Sequence, residues 1–221
     1  IVRGDITRMA LDPMSRWVAL SGKENAIYLY ALTGEDKENQ SNPQFILPGH
    51  GEGNLQLAFT RNGSHLISGG ADKVVKAWQL NGEQQPVTTA TYRGHEAAIQ
   101  GVYAEAASQR LISTDIKGAV RRWSLDNTAD TLNRKLPWDA KRITRLTFSD
   151  DGETLAAGAS NGRIRVWHQD QFRDLQAHNG PISHIDLHGN GTALLSKSDG
   201  ESVKLWDIAQ ESNYSSPPRQ Q

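Results

Sequence analysis

Residues 143–167, ITRLTFSDDGETLAAGASNGRIRVW, contain three short apolar stretches separated by two tight turns. Ile143, Leu146 and Phe148 open the segment and Ser149-Asp150-Asp151-Gly152 breaks it. Leu155, Ala156, Ala157 and Gly158 form a small-residue run, and Asn161-Gly162 breaks the chain again before Ile164 and Val166 alternate into Trp167. Runs this short, partly β-branched or aromatic and punctuated by Gly, Asp and Asn, specify strands joined by tight turns. No window sustains a helical period.

Outward from Trp167 the same pattern recurs. Tyr30, Trp78, Trp123, Trp167 and Trp206 close successive copies at intervals of 48, 45, 44 and 39 residues, and His50, His95 and His178 each stand 28 residues before a tryptophan. A period near 44 means that one supersecondary unit repeats five times, because each unit must bury its apolar face against a neighbour.

Pro48-Gly49-His50 and Arg93-Gly94-His95 resemble the Gly-His dipeptide of WD-repeat proteins, and Leu205-Trp206-Asp207 resembles their Trp-Asp; the similarity covers about residues 2–210. The resemblance implies an all-β chain, a β-propeller of five four-stranded blades at about 2–45, 46–92, 93–136, 137–175 and 176–210, with a polar disordered tail at 211–221. The tail holds Ser215-Ser216-Pro217-Pro218, which does not donate a backbone ladder, so the last blade is expected to lack its outer strand. Propellers of this family commonly close with seven blades. The five units therefore read as part of a seven-bladed ring at the C-terminal end of a larger protein, with a five-bladed ring as the alternative.

In that family a His, a Ser or Thr, an Asp and the Trp form a hydrogen-bonded tetrad. The resemblance places it on His50, Ser68, Asp72 and Trp78 in the second unit. The third keeps His95, Ser113 and Trp123 but has Lys117 where the acid is expected. The fourth keeps only Trp167, with Asp139, Ala157 and Asn161 in the other places. The fifth keeps His178, Ser196 and Trp206, with Asp199 displaced by one residue. The first has Val2, Leu20, Glu24 and Tyr30. The residue types are those of a hydrolase triad, but a set that recurs with variation in several units is structural, since a buried indole N–H needs an acceptor.

The chain of 221 residues carries a net charge of −1, which names no partner. It has no cysteine, which removes disulfides and thiolate metal sites and fits a cytoplasmic location. No apolar run approaches the roughly 18 residues of a membrane-spanning helix, and no membrane partner is expected. Neither a metal nor a cofactor is expected: three of the seven histidines are taken by the repeat, His184 and His188 lie four apart in strand and turn, and Gly69-Gly70 lacks the residues of a phosphate loop.

The reading is therefore a non-catalytic protein–protein interaction scaffold, or the sensor module of a larger regulatory protein. From Lys117 to Arg145 eight basic residues face three acidic ones, which offers a basic surface to an acidic protein segment. Nucleic acid is disfavoured, because no aromatic platform accompanies the charge. The candidate contact residues are Asn54, Lys117, Arg142 and Pro181 in loops and turns, Arg121 in the basic stretch, and Arg145 and His184 on innermost strands near the channel mouth. The first alternative is a nucleic-acid-associated module using the basic stretch 117–145, and the second an enzyme built on Arg145 and His184 at the channel mouth.

Overall fold

The computed structural model describes residues 6–22, 25–32, 42–51, 55–82, 84–104, 109–125, 134–136, 138, 142–168 and 171–209. Its described regular structure is all strand, in five antiparallel sheets that each follow the chain order without crossovers. The first holds β1 (Ile6–Leu11), β2 (Trp17–Gly22), β3 (Ala26–Ala31) and β4 (Phe45–Pro48). The second holds β5 (Gln56–Phe59), β6 (His65–Gly69), β7 (Val75–Gln79) and β8 (Val87–Tyr92). The third holds β9 (Ile99–Ala104), β10 (Arg110–Asp115), β11 (Val120–Ser124) and β12 (Arg134–Leu136). The fourth holds β13 (Ile143–Phe148), β14 (Thr154–Ala159), β15 (Arg163–His168) and β16 (Gln171–Gln176). The fifth has three described strands, β17 (Ile182–His188), β18 (Ala193–Ser198) and β19 (Lys204–Asp207), rather than four. β4 uses Ile46, Leu47 and Pro48, residues expected to begin the second unit.

The chain divides into two compact units, one carrying the first three sheets and the other the last two. In the first unit β1 lies beside β5, and β5 beside β9; in the second, β13 lies beside β17. Within each unit consecutive sheets pack face to face. Ile27, Leu29 and Leu47 meet Leu55, Leu66 and Trp78; Ile67, Val75 and Ala77 meet Ile99, Val102 and Trp123; Ala156, Ile164 and Val166 meet Ile182, Leu187 and Leu194. Both faces of a second strand are thus covered, and β14, Thr-Leu-Ala-Ala-Gly-Ala, is buried at every position. Small residues there let the next sheet close in: a Cβ at Gly69 would sit 2.5 Å from Cγ2 of Ile99, and one at Gly158 2.5 Å from Cγ2 of Ile182. The turns between first and second strands are tight, and Gly63 and Gly152 supply their left-handed residue, at φ of 62° and 74°.

Most first strands carry an irregularity near the start. The register skips between Ile6 and Arg8, Ile143 and Arg145, and Ile182 and His184, and in the third sheet opposite Thr114 and Asp115. A bulge leaves one residue unpaired and re-aims the next. The unpaired residue is hydroxylic in three sheets, and Thr7, Thr144 and Ser183 donate to the carbonyls of Ser21, Gly158 and Lys197. The residue that follows, Arg8, Arg145 or His184, is exposed.

Candidate functional site

Three buried polar chains hold the sheet ends that carry the loops. In the second sheet Trp78 Nε1 donates to Ser68 Oγ at 2.9 Å, Ser68 Oγ lies 2.9 Å from His50 Nε2, and His50 Nδ1 lies 2.9 Å from Asp72 Oδ1. The carboxylate accepts only, so Nδ1 carries the ring proton, Nε2 accepts from the serine hydroxyl and the serine oxygen accepts from the indole. Burial pushes the His50 pKa below its ordinary 6.5, against the pull of Asp72, and favours this neutral form. Burial opposes ionisation of Asp72, but the amide of Gly51, the His50 ring and the amide of Val74 outweigh it and lower its pKa.

The third chain is complete, and its acid is Asp115. His95 Nδ1 lies 2.8 Å from Asp115 Oδ2, His95 Nε2 lies 2.6 Å from Ser113 Oγ, and Trp123 Nε1 donates to Ser113 at 2.7 Å. The expectation of a unit broken at Lys117 is corrected: the acid comes from the strand itself, two residues after the serine, and Lys117 is exposed in the turn beyond. The fifth chain uses Glu201 instead of Asp199. Its Oε2 lies 3.0 Å from His178 Nδ1 while Oε1 accepts from the amides of Asn179 and Gly180; His178 Nε2 and Trp206 Nε1 both meet Ser196 at 2.9 Å. The longer side chain spans a longer turn. The Asn179 amide and the His178 ring hold the Glu201 pKa below its ordinary value.

The fourth sheet shows no such chain among the described residues. Trp167 Nε1 is buried without a hydrogen-bond partner, since Ala157 stands where the other sheets have serine. Trp138 packs edge-on against it, with ring centroids 5.6 Å apart at 87°, and its own Nε1 is also unpartnered. Arg165 lies between Trp138 and the ring of Phe172 and is held by Asp174. In the first sheet Leu20 replaces the serine and the Tyr30 hydroxyl is buried without a partner. Asp139, Val2 and Glu24 lie outside the described residues.

Sequence reading missed a further position. Two residues before each of the four tryptophans that close a repeat stands a base: Lys76, Arg121, Arg165 and Lys204. Lys76 Nζ donates to Gly49 O at 2.6 Å and lies over the Trp78 ring; Lys204 Nζ donates to Ala177 O at 2.6 Å. Each clamps the residue before the histidine. Arg121 lies 5.8 Å over the Trp123 ring and against Gly94. Arg121, expected as an exposed contact, is therefore half-buried against Trp123 and Gly94, and Arg122 beside it is buried. The regular spacing to tryptophan was the available signal.

Of the remaining candidates, Lys117, Arg142, Arg145, Pro181 and His184 are exposed. Arg145 donates to Thr144 O, as Arg8 does to Thr7 O. Asn54 lies outside the described residues. The basic stretch is thus split: two of its arginines serve the interior, and Lys117, Arg142 and Arg145 face solvent. No group of three or more metal-ligating side chains is found among the described residues.

The pattern of the WD domain, G-beta repeat matches residues 41–79, 131–168 and 169–207, just over half of the chain. The chain belongs to the WD-repeat family. Its five sheets are propeller blades, and each matched stretch contains the fourth strand of one blade and the first three of the next. The matches include the unit without a tetrad, so the recognisable pattern resides in strands and turns. The chain is 24% identical over 217 residues to Topless-related protein 3 of Arabidopsis thaliana, covering 92% of this chain and 19% of that one. It is 27% identical over 212 residues to a guanine nucleotide-binding protein subunit beta of Oryza sativa subsp. japonica, covering 88% and 54%. With the target of rapamycin complex subunit wat1 of Schizosaccharomyces pombe it shares 24% over 210 residues, covering 91% and 64%. The chain thus spans less than two thirds of the length of these relatives.

Proposed function

We propose that the chain is a non-catalytic protein-interaction scaffold within a larger regulatory protein of a reducing compartment such as the cytoplasm. The observation that carries this is the fate of the polar residues. Every Ser–His–acid set is spent on a tryptophan N–H, and Ser68, Ser113 and Ser196 are fully buried. A hydroxyl sealed this way does not reach a substrate, whereas Lys117, Arg142 and Pro181 outside the strands and His184 on β17 are exposed at the surface. The relatives support the reading by name, since they include subunits of a target of rapamycin complex and of a guanine nucleotide-binding protein.

The proposed partner presents acidic groups to Lys117, Arg142 and Arg145. The test is capture of partners by the immobilised chain and by a variant with all three charges reversed. The reading expects loss of a defined partner on reversal, with unchanged circular dichroism, and weaker capture as salt rises and the Debye length falls to about 8–10 Å. Unchanged capture overturns the basic contact; hydrolytic turnover that survives rigorous purification overturns the scaffold.

A further inference from the structure

Asn-Gly occurs five times, at Asn62-Gly63, Asn81-Gly82, Asn161-Gly162, Asn179-Gly180 and Asn190-Gly191. The pair suits tight turns, because asparagine tolerates and glycine favours left-handed backbone. It also carries a reactivity of its own, since glycine has no Cβ to shield its nitrogen from the carboxamide carbon before it. Ring closure requires the asparagine side chain to swing over the next peptide and that peptide to rotate. Hydrogen bonds to either group oppose the motion.

Four of the five pairs are restrained. Gly63 N donates to Thr60 O at 2.8 Å, Gly162 N to Ala159 O at 3.2 Å and Gly191 N to His188 O at 2.8 Å. Gly180 N donates to Glu201 Oε1 at 3.3 Å. Three of the side chains are held as well: Asn62 Oδ1 accepts from the Ser64 amide, Asn161 Oδ1 from the Arg163 amide and Asn190 Oδ1 from the Thr192 hydroxyl. Asn81-Gly82 stands apart. Among the described residues neither the Asn81 side chain nor the Gly82 amide has a hydrogen-bond partner, and both residues are exposed. A Cβ built on Gly82 would meet nothing within 4 Å, so the space that a new ring needs is open.

We propose that Asn81 is a site of spontaneous deamidation and isoaspartate formation in the folded chain. The Gly82 nitrogen gives up its proton to solvent and bonds to Asn81 Cγ, the carboxamide C–N bond breaks, and ammonia leaves. A five-membered succinimide remains. Water then opens it at either carbonyl: cleavage of the bond from nitrogen to Cγ gives aspartate, and cleavage of the bond from nitrogen to the main-chain carbonyl gives isoaspartate. No oxidant or enzyme takes part, and either product adds one carboxylate. Asn81 follows β7 at the end away from the turn that carries Asp72, so the charge appears at the opposite end of the blade from His50. Leu80 N, bonded to Ser64 O at 2.9 Å, holds the strand end beside it and confines the change to the turn.

Incubation of the whole chain in mildly alkaline buffer, followed by proteolysis and mass-spectrometric peptide mapping, tests this. In the folded chain Asn81 is expected to convert about tenfold or more faster than Asn62, Asn161 or Asn190, the factor that two ordinary hydrogen bonds supply. Asn179, restrained only at the Gly180 amide, falls between. Both isoaspartyl and aspartyl products are expected at Asn81, because direct hydrolysis of the side chain gives aspartate alone. In concentrated urea, where the hydrogen bonds are lost, the five sites should convert at similar rates. Asn81→Gln removes the reaction at this turn and leaves the melting curve and the other four rates unchanged. Another Asn-Gly pair that reacts as fast as Asn81 in the folded chain overturns the proposal. So does a product that is aspartate only, or a ranking of the five sites that persists in urea.

Discussion

The second and fourth blades bury the same tryptophan at the same place in the same strand and support it in opposite ways. Around Trp78 a chain of three hydrogen bonds links the indole to a partly solvated carboxylate, tying the third strand to the loop that carries His50. Around Trp167 no acceptor is found among the described residues, and the ring is held by Trp138 at its edge and by the stack of Arg165 on Phe172. One solution is directional and fails if a single member is lost. The other is packing, tolerant of substitution but with two indole N–H groups left unsatisfied in the interior. A buried unsatisfied donor costs about 1–3 kcal/mol, so the fourth blade forgoes stabilisation that the second has.

The largest effect is expected at the hub of the second blade. Ser68→Ala removes the acceptor of Trp78 and the donor to His50, and each buried group left unpaired costs about 1–3 kcal/mol. The reciprocal change, Ala157→Ser, should stabilise the fourth blade by about 1 kcal/mol by giving Trp167 an acceptor. Denaturant midpoints measured at constant slope decide both. A neutral Ser68→Ala or a destabilising Ala157→Ser would mean that the two blades do not differ in the way described.

A smaller difference isolates the hydrogen bond itself. Trp78→Phe and Trp167→Phe delete the same atoms, so their packing costs are similar, but only the first deletes a satisfied N–H. Trp78→Phe should therefore cost about 1 kcal/mol more than Trp167→Phe. Equal losses would show the indole of the second blade to be held by packing alone.

The legibility of these sites in the sequence follows the geometry of their members. Serine and tryptophan sit on paired strands and histidine in the loop that leads into the first strand of its blade, and these connections keep one length, so His50, His95 and His178 precede Ser68, Ser113 and Ser196 by the same 18 residues. The acid sits in or beside a turn, where length and side-chain reach trade against each other. Asp72, Asp115 and Glu201 follow their serines by four, two and five residues, and a search at one fixed spacing finds only the first. The half-burial of Arg121 and the burial of Arg122 were hidden for a related reason. A charge count along the chain treats every arginine as surface, whereas a strand sends alternate side chains inward, and a guanidinium is stable inside when an aromatic face and polar groups receive it. Trp138 carried no signal, because it lies outside the positions that repeat.

The smallest effect concerns pH and again separates the two blades. His50 has a folded-state pKa below the ordinary 6.5, so the unfolded chain binds more protons between the two values. Its contribution to stability is complete above about 6.5 and is lost progressively as pH falls toward the folded value. Asp72, also lowered, adds a second loss only at more acid pH, beginning near its ordinary 3.8. Stability should therefore decline from pH 7 to 5, and His50→Asn should lower stability at pH 7 while flattening that decline. Ala157→Ser, which introduces no titrating group, should leave the slope of the parent unchanged. Chemical denaturation of the three proteins at pH 7, 6 and 5 makes the comparison, and an undiminished decline in His50→Asn would place the acid sensitivity outside the tetrad of the second blade.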